Sequence, residues 1–218
     1  MRMQSCFGQQ GSLGFPVIDM KREISPILLA VALVVFGTIF SLASSRYPFL
    51  IPNFSPLMAI AFVGGMYLPR HWGWLVGPAT LLIVNLAYLS TNQLTDGAMF
   101  SWGLLANLAV FAAAGGLGVL IAQNKSIGKV IAGSLLCSLV FYVVSNTVSW
   151  CYLTSGYAPT LEGWWVANTV GLPGYPPTWL FLRNAMVGDL VFVLLFVLVL
   201  DRSLLFGRAS AKASTQTA

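Results

Sequence analysis

Charge is what this chain has least of. Asp, Glu, Lys and Arg make up only 8% of its 218 residues, against roughly 25% in an ordinary soluble domain. It has one histidine, His71, and three cysteines, Cys6, Cys137 and Cys151. One histidine cannot build a His-rich metal site, and the cysteine spacing matches no zinc or redox motif. A Gly-x-x-x-x-Gly-Lys-Ser/Thr phosphate loop is missing, as are His-Glu-x-x-His and the Gly-x-Ser-x-Gly elbow. Paired carboxylates are missing too, because Asp189 is the sole acid inside an apolar span. No enzymatic activity, metal or cofactor is therefore expected. The net charge of +5 sits in loops and tails, so it points to membrane orientation and not to nucleic acid.

Apolar surface is abundant. The chain is 57% hydrophobic with a mean hydropathy of +0.82, more than one core of this size can hide, so a lipid bilayer must cover it. Six apolar segments can be drawn, at about 26–44, 56–69, 72–90, 100–122, 130–152 and 182–201. The reading is an all-α integral membrane protein of about six transmembrane helices. The second is short or re-entrant, since Pro52 and Pro56 bracket its start and Pro69 its end, and proline breaks helices. Residues 1–25 form an N-terminal cytoplasmic tail, 26–201 the six-span membrane domain, and 202–218 a disordered C-terminal cytoplasmic tail. Met20-Lys21-Arg22-Glu23 reads like a natural start, which would make 1–19 a mis-assigned leader. Lys21-Arg22 before Ile27–Leu42 also resembles a secretory signal, but the run is longer than a usual signal core and more spans follow.

Six crossings with both termini in the cytoplasm leave Arg2, Lys21, Arg22, Arg70, Lys125, Lys129, Arg202, Arg208 and Lys212 inside and only Arg46 and Arg183 outside. That positive-inside bias predicts a bacterial inner-membrane protein in this orientation. The polar residues of the spans then gather in the outer half: Asn53 and Ser55, Asn85 and Tyr88, Asn107, Asn146, Ser149 and Trp150, then Arg183 and Asn184, with Asp189 roughly 9 Å deeper at about 1.5 Å per residue. An ionisable group at that depth is a functional candidate by default. The inner half of span four is instead Ala112-Ala113-Ala114-Gly115-Gly116-Leu117-Gly118, which is material for close helix packing. The asymmetry predicts a polar cavity open to the outside and closed below. Ser134, Ser138, Tyr142, Ser145 and Ser149 share one face of span five, a pattern that serves interhelical packing or the cavity. Trp164, Trp165 and Tyr175, in the long outer loop, read as an interfacial belt or a lid. Arg183 and Asp189, six residues apart, do not stack on one helix face. A direct pair would need the arginine to bend inward.

Pro52-Asn53-Phe54-Ser55-Pro56 with the following run to Gly64-Gly65, Ser145-Asn146-Thr-Val-Ser-Trp150, and Phe181-Leu182-Arg183-Asn184-Ala-Met-Val-Gly188-Asp189 together resemble a family of small bacterial membrane proteins of unknown function, over about residues 26–201. Members of that family often carry an aspartate where this chain has Asn85. More distantly, the six-span layout is similar to the substrate-binding S subunits of energy-coupling-factor vitamin transporters. That resemblance implies capture of a small cofactor-like molecule at the outer face, with ATPase and coupling subunits as partners. The first span lacks the Ala-x-x-x-Ala pair many such subunits use for docking: Val34 follows Ala30, and Phe36 follows Ala32, at that spacing. The cobalt-holding cysteine of cobalamin-specific relatives has no match outside span five. On this reading Asn53, Ser55, Asn85, Asn107, Asn146, Trp150, Arg183, Asn184 and Asp189 line the substrate site under Trp164, Trp165 and Tyr175. The alternative is a structural or assembly protein whose buried polar network only orients helices.

Overall fold

The computed structural model describes residues 25–45, 53–91, 101–152 and 156–205. Residues 1–24 and 206–218, with the Met20 start, and Arg46 lie outside them; residues 202–205, expected in a disordered tail, are helical, with Leu204 and Leu205 packed against the core. The described residues are helical, with five helices long and apolar enough to cross a membrane. These are α1 (Pro26–Ser44), α3 (Val76–Ser90, preceded by a 3₁₀ turn over Gly73–Leu75), α4 (Trp102–Ala122), α5 (Ile127–Cys151) and α7 (Thr178–Leu200). Two shorter helices complete the set, α2 (Leu57–Tyr67) and α6 (Leu161–Ala167). The five long helices match the expected spans closely, and α2 is the expected short one.

The outward faces are what lipid demands. Ile27, Leu28 and Ile39 on α1, Leu120 on α4 and Val199 on α7 are large, apolar and exposed. The chain is a multi-span membrane protein. Its interior is organised around α2, which packs against α1, α3, α4, α5 and α7. Every residue from Met58 to Met66 is buried, so α2 meets no lipid. Its 11 residues reach about 16 Å at 1.5 Å per residue, roughly half the ~30 Å hydrocarbon layer. Prolines set both limits: Pro56 caps the start, and the carbonyl of Pro69, just past the end, accepts from Trp72 and Gly73 at 3.1 and 2.8 Å.

A helix enclosed on all sides needs neighbours that come close. Here the small residues supply that. A Cβ on Gly65 would collide with the Gly115 backbone, and one on Gly118 with the carbonyl of Phe62. The glycine-rich half of α4 is thus a backbone-to-backbone seam with α2, as small residues allow in membrane bundles. Phe36 and Phe40 of α1 meet Phe192 and Phe196 of α7, with Phe40 and Phe192 edge to face at 5.1 Å between centroids, and so close the ring of long helices. At the far end of α2, Lys125 lies 3.5 Å from Asp201 and its Nζ stands 4.1 Å over the Tyr67 ring. This cluster ties the α4–α5 turn, the end of α7 and the end of α2 together.

Gly118→Ala should lower the melting temperature in detergent, at about 1–3 kcal/mol for an overpacked core site. Gly116→Ala should hold or raise it, because a Cβ there meets nothing within 4 Å and alanine favours helix. Thermal unfolding of the two variants side by side reads the difference.

Candidate functional site

The segment before α2 makes a tight approach. Asn53 takes φ +60, a left-handed conformation that asparagine tolerates better than most residues. The turn leads through Ser55 to Pro56. The first intrahelical bond of α2 runs from the Ile60 N–H to the Pro56 carbonyl at 2.8 Å, so the N–H groups of Leu57, Met58 and Ala59 need partners elsewhere. Ser55 Oγ accepts from Leu57 at 3.4 Å. The Ala59 N–H faces the carboxyl of Asp189, which reaches across from α7.

Asp189 is 3% exposed. Its Oδ2 accepts from Ser138 Oγ on α5 at 2.6 Å, and the same hydroxyl lies 3.1 Å from the Ser134 carbonyl. One carboxyl therefore joins α7, α5 and the first turn of α2. Gly188, the residue before it, leaves room for the Phe54 ring, which would stand 3.2 Å from a Cβ there.

Above this junction lies a cavity of about 420 Å³, within the range of small-molecule sites. The ends of α1 and α3 line it with Ser41, Ser44, Ser45 and Tyr88. Asn53, Phe54 and Ser55 come from the turn, and Leu57 and Met58 from α2. Asn107 and Phe111 come from α4, Phe141 from α5, and Phe181, Ala185 and Asp189 from α7. Asn53 and Phe181 also line a second hollow of about 300 Å³, with Ser145, Asn146, Tyr157 and Tyr175. The two therefore adjoin. Among the described residues no lysine, arginine or histidine lines either one.

Four of the sequence-derived site residues, Asn53, Ser55, Asn107 and Asp189, thus meet at the main cavity, and Asn146 lines the adjoining hollow. The others lie apart. Asn85 donates to the Leu81 carbonyl of its own helix at 2.8 Å, and Trp150 donates to the Ala158 carbonyl at 2.9 Å. Arg183 is exposed; its guanidinium donates to the side chain of Asn184 at 3.1 and 3.2 Å and stands over Trp179. It does not pair with Asp189. Trp164 anchors α6 by donating to Thr147 Oγ1 at 2.9 Å, Trp165 is exposed, and Tyr175 faces the adjoining hollow.

Residues that sequence reasoning missed are Ser41, Ser44 and Ser45. Their three-and-four spacing at the end of span one was the available signal, since such residues share a helix face. The carbonyl of Ser41 accepts from Tyr88 at 3.0 Å, while its own hydroxyl has no partner.

Residues 22–204 match the model of a family described as a family of unknown function (DUF6580). The chain belongs to that family. The match takes in α1 through α7, and so every residue of the cavity. No curated protein and no solved structure matches the chain.

Ser138→Ala should destabilise the protein by about 1–3 kcal/mol, the usual cost of stripping a donor from a buried polar group. Ser134→Ala should change little, because the Ser134 hydroxyl is buried without a partner. Melting temperatures of the two in the same detergent give the comparison.

Proposed function

We propose that this protein captures a small molecule from the outer face of a bacterial inner membrane, in the manner of the S subunits of energy-coupling-factor transporters. The observation that carries this reading is the 420 Å³ cavity that descends between five helices to a carboxyl 3% exposed. A helix start at membrane depth is tolerated where protein or a water-lined cavity satisfies its backbone, and α2 begins at the floor of this one. Below that floor the glycine seam of α2 and α4 closes the bundle. A solute therefore has a way in from one end and none through.

The proposed orientation is the one the positive-inside rule favours, with Lys125, Lys129 and Arg202 on the cytoplasmic side and the cavity mouth facing out. Uptake through such a protein needs an energy source elsewhere. The chain carries no phosphate loop, so ATPase and coupling subunits are the fitting partners. The second reading, a structural role for the polar network, is favoured by the way Asp189 joins three helices. The two readings part at Asp189→Asn, which removes the charge but keeps one acceptor oxygen and offers an NH2 from which the Ser138 hydroxyl can accept while donating to the Ser134 carbonyl. On the capture reading this variant folds and loses its ligand.

Native mass spectrometry of protein gently purified from its host membrane should show a copurifying small molecule that Asp189→Asn loses while remaining folded. A wild type that carries no ligand, alongside a variant that falls apart, would favour the structural reading. Orientation has its own check. Cys151, the last residue of α5, is exposed, and Cys137 is buried. In a Cys6→Ser background, a membrane-impermeant maleimide should label Cys151 in intact spheroplasts. Labelling only after lysis would invert the topology.

A further inference from the structure

We infer that the ligand of this cavity presents nitrogen-bound hydrogens, on an amine or amidine group, and carries a flat apolar body. This inference rests on the capture reading and deepens it.

Among the described residues the one charged group of the cavity is an acceptor, while Asn53, Asn107 and Ser55 bring both donors and acceptors. Asn107 lines the wall, and its Oδ1 is buried without a partner. An amide oxygen can only accept, so what satisfies it must donate. The Asp189 carboxyl lines the same cavity, with Ser138 bonded to Oδ2. A carboxylate has about four lone-pair sites, more than Ser138 and Ala59 fill. Ser41, 2% exposed, adds a hydroxyl without a partner, able to donate or accept. Tyr88, Ser44 and Ser45 spend their hydroxyl protons on backbone carbonyls, at 3.0, 3.0 and 2.7 Å, and so offer lone pairs to a ligand.

An anion finds only neutral donors here, the amides of Asn53 and Asn107 and the hydroxyls. The start of α2 would ordinarily draw an anion, but Asp189 already stands there and supplies the negative charge. Among the described residues no cationic side chain lines the wall. Bringing a second negative group beside Asp189 would pair like charges away from bulk water, where repulsion is strong. A cation or a neutral donor meets the opposite condition. Phe54, Phe111, Phe141 and Phe181 supply much of the apolar wall. Aromatic faces accommodate flat rings and attract cations.

The test uses three probes of one shape: 2-naphthamidine, 2-naphthamide and 2-naphthoate, which carry a cationic donor, a neutral amide and an anion on the same ring system. Binding to the full chain in lipid nanodiscs is measured by equilibrium dialysis. The expected order is amidine tightest, amide weaker, and carboxylate at least about tenfold weaker than the amidine, the scale of one charge-assisted hydrogen bond. Asp189→Asn should bring amidine and amide to within a few-fold of each other. Asn107→Leu should weaken both donors together while leaving their ratio unchanged. These are ratios on folded protein, so a loss of yield does not mimic them.

Equal or preferential binding of the carboxylate would overturn the inference, and so would failure of all three probes to bind. Native mass spectrometry of the copurified molecule separates the two levels. A copurified anion without N–H groups would defeat the ligand class and leave capture standing. No copurified molecule together with no probe binding would defeat both.

Discussion

A helix that begins inside a membrane has to find partners for its first N–H groups, and the rest of this structure is arranged around that requirement. In hydrocarbon each unsatisfied backbone group costs several kcal/mol. Pro56 brings no N–H of its own, Ser55 takes the Leu57 N–H, and the Asp189 carboxyl faces that of Ala59. Asp189 can do so because Ser138 holds its other side and because Gly188 lets the Phe54 ring in close. The carboxyl is costly to bury unless it is hydrogen-bonded, and the helix start is costly to bury unless it is capped. Each is the remedy for the other.

The same requirement explains why the polar and apolar halves of the molecule differ so much. Below the start of α2 the helix needs only close contact, and Gly65, Gly115 and Gly118 allow backbones to touch. Above it the chain has no α2 to fill the bundle, so the long helices surround a hollow. Their ends carry serine, asparagine and tyrosine there because the space is open to water. The cavity is thus the volume left when one of six helices stops halfway.

Much of this was legible in order along the chain. Five long apolar runs and a proline-bounded short one translate directly into helices, since length and hydropathy decide both. The glycine run of span four announced close packing, and Asp189 stood out because charge is so scarce. What could not be read was which polar residues look at each other. Asn85 turns back to the Leu81 carbonyl and Arg183 to its neighbour Asn184. Both are local hydrogen bonds that satisfy a side chain within its own helix. Helix α6 went unforeseen because it owes its place to docking on α5, through Trp164 to Thr147 and through the Tyr142 hydroxyl to the Asn168 carbonyl at 2.6 Å. Seven residues are too few to declare themselves by periodicity.

The complete enclosure of α2 bears on how the chain is made. Synthesis runs from the N-terminus, so α2 emerges after α1 but before α3, α4, α5 and α7, four of the five helices that wrap it. At about 16 Å it is too short to lodge across the bilayer alone, and the Ala59 N–H in its first turn meets no carboxyl until Asp189 arrives 130 residues later. The segment must wait in a sheltered place, at the translocon or the lipid interface, while its enclosure is still on the ribosome. Assembly of this protein is therefore a late closure around a held segment, and the helix at its centre is among the last parts to reach its place.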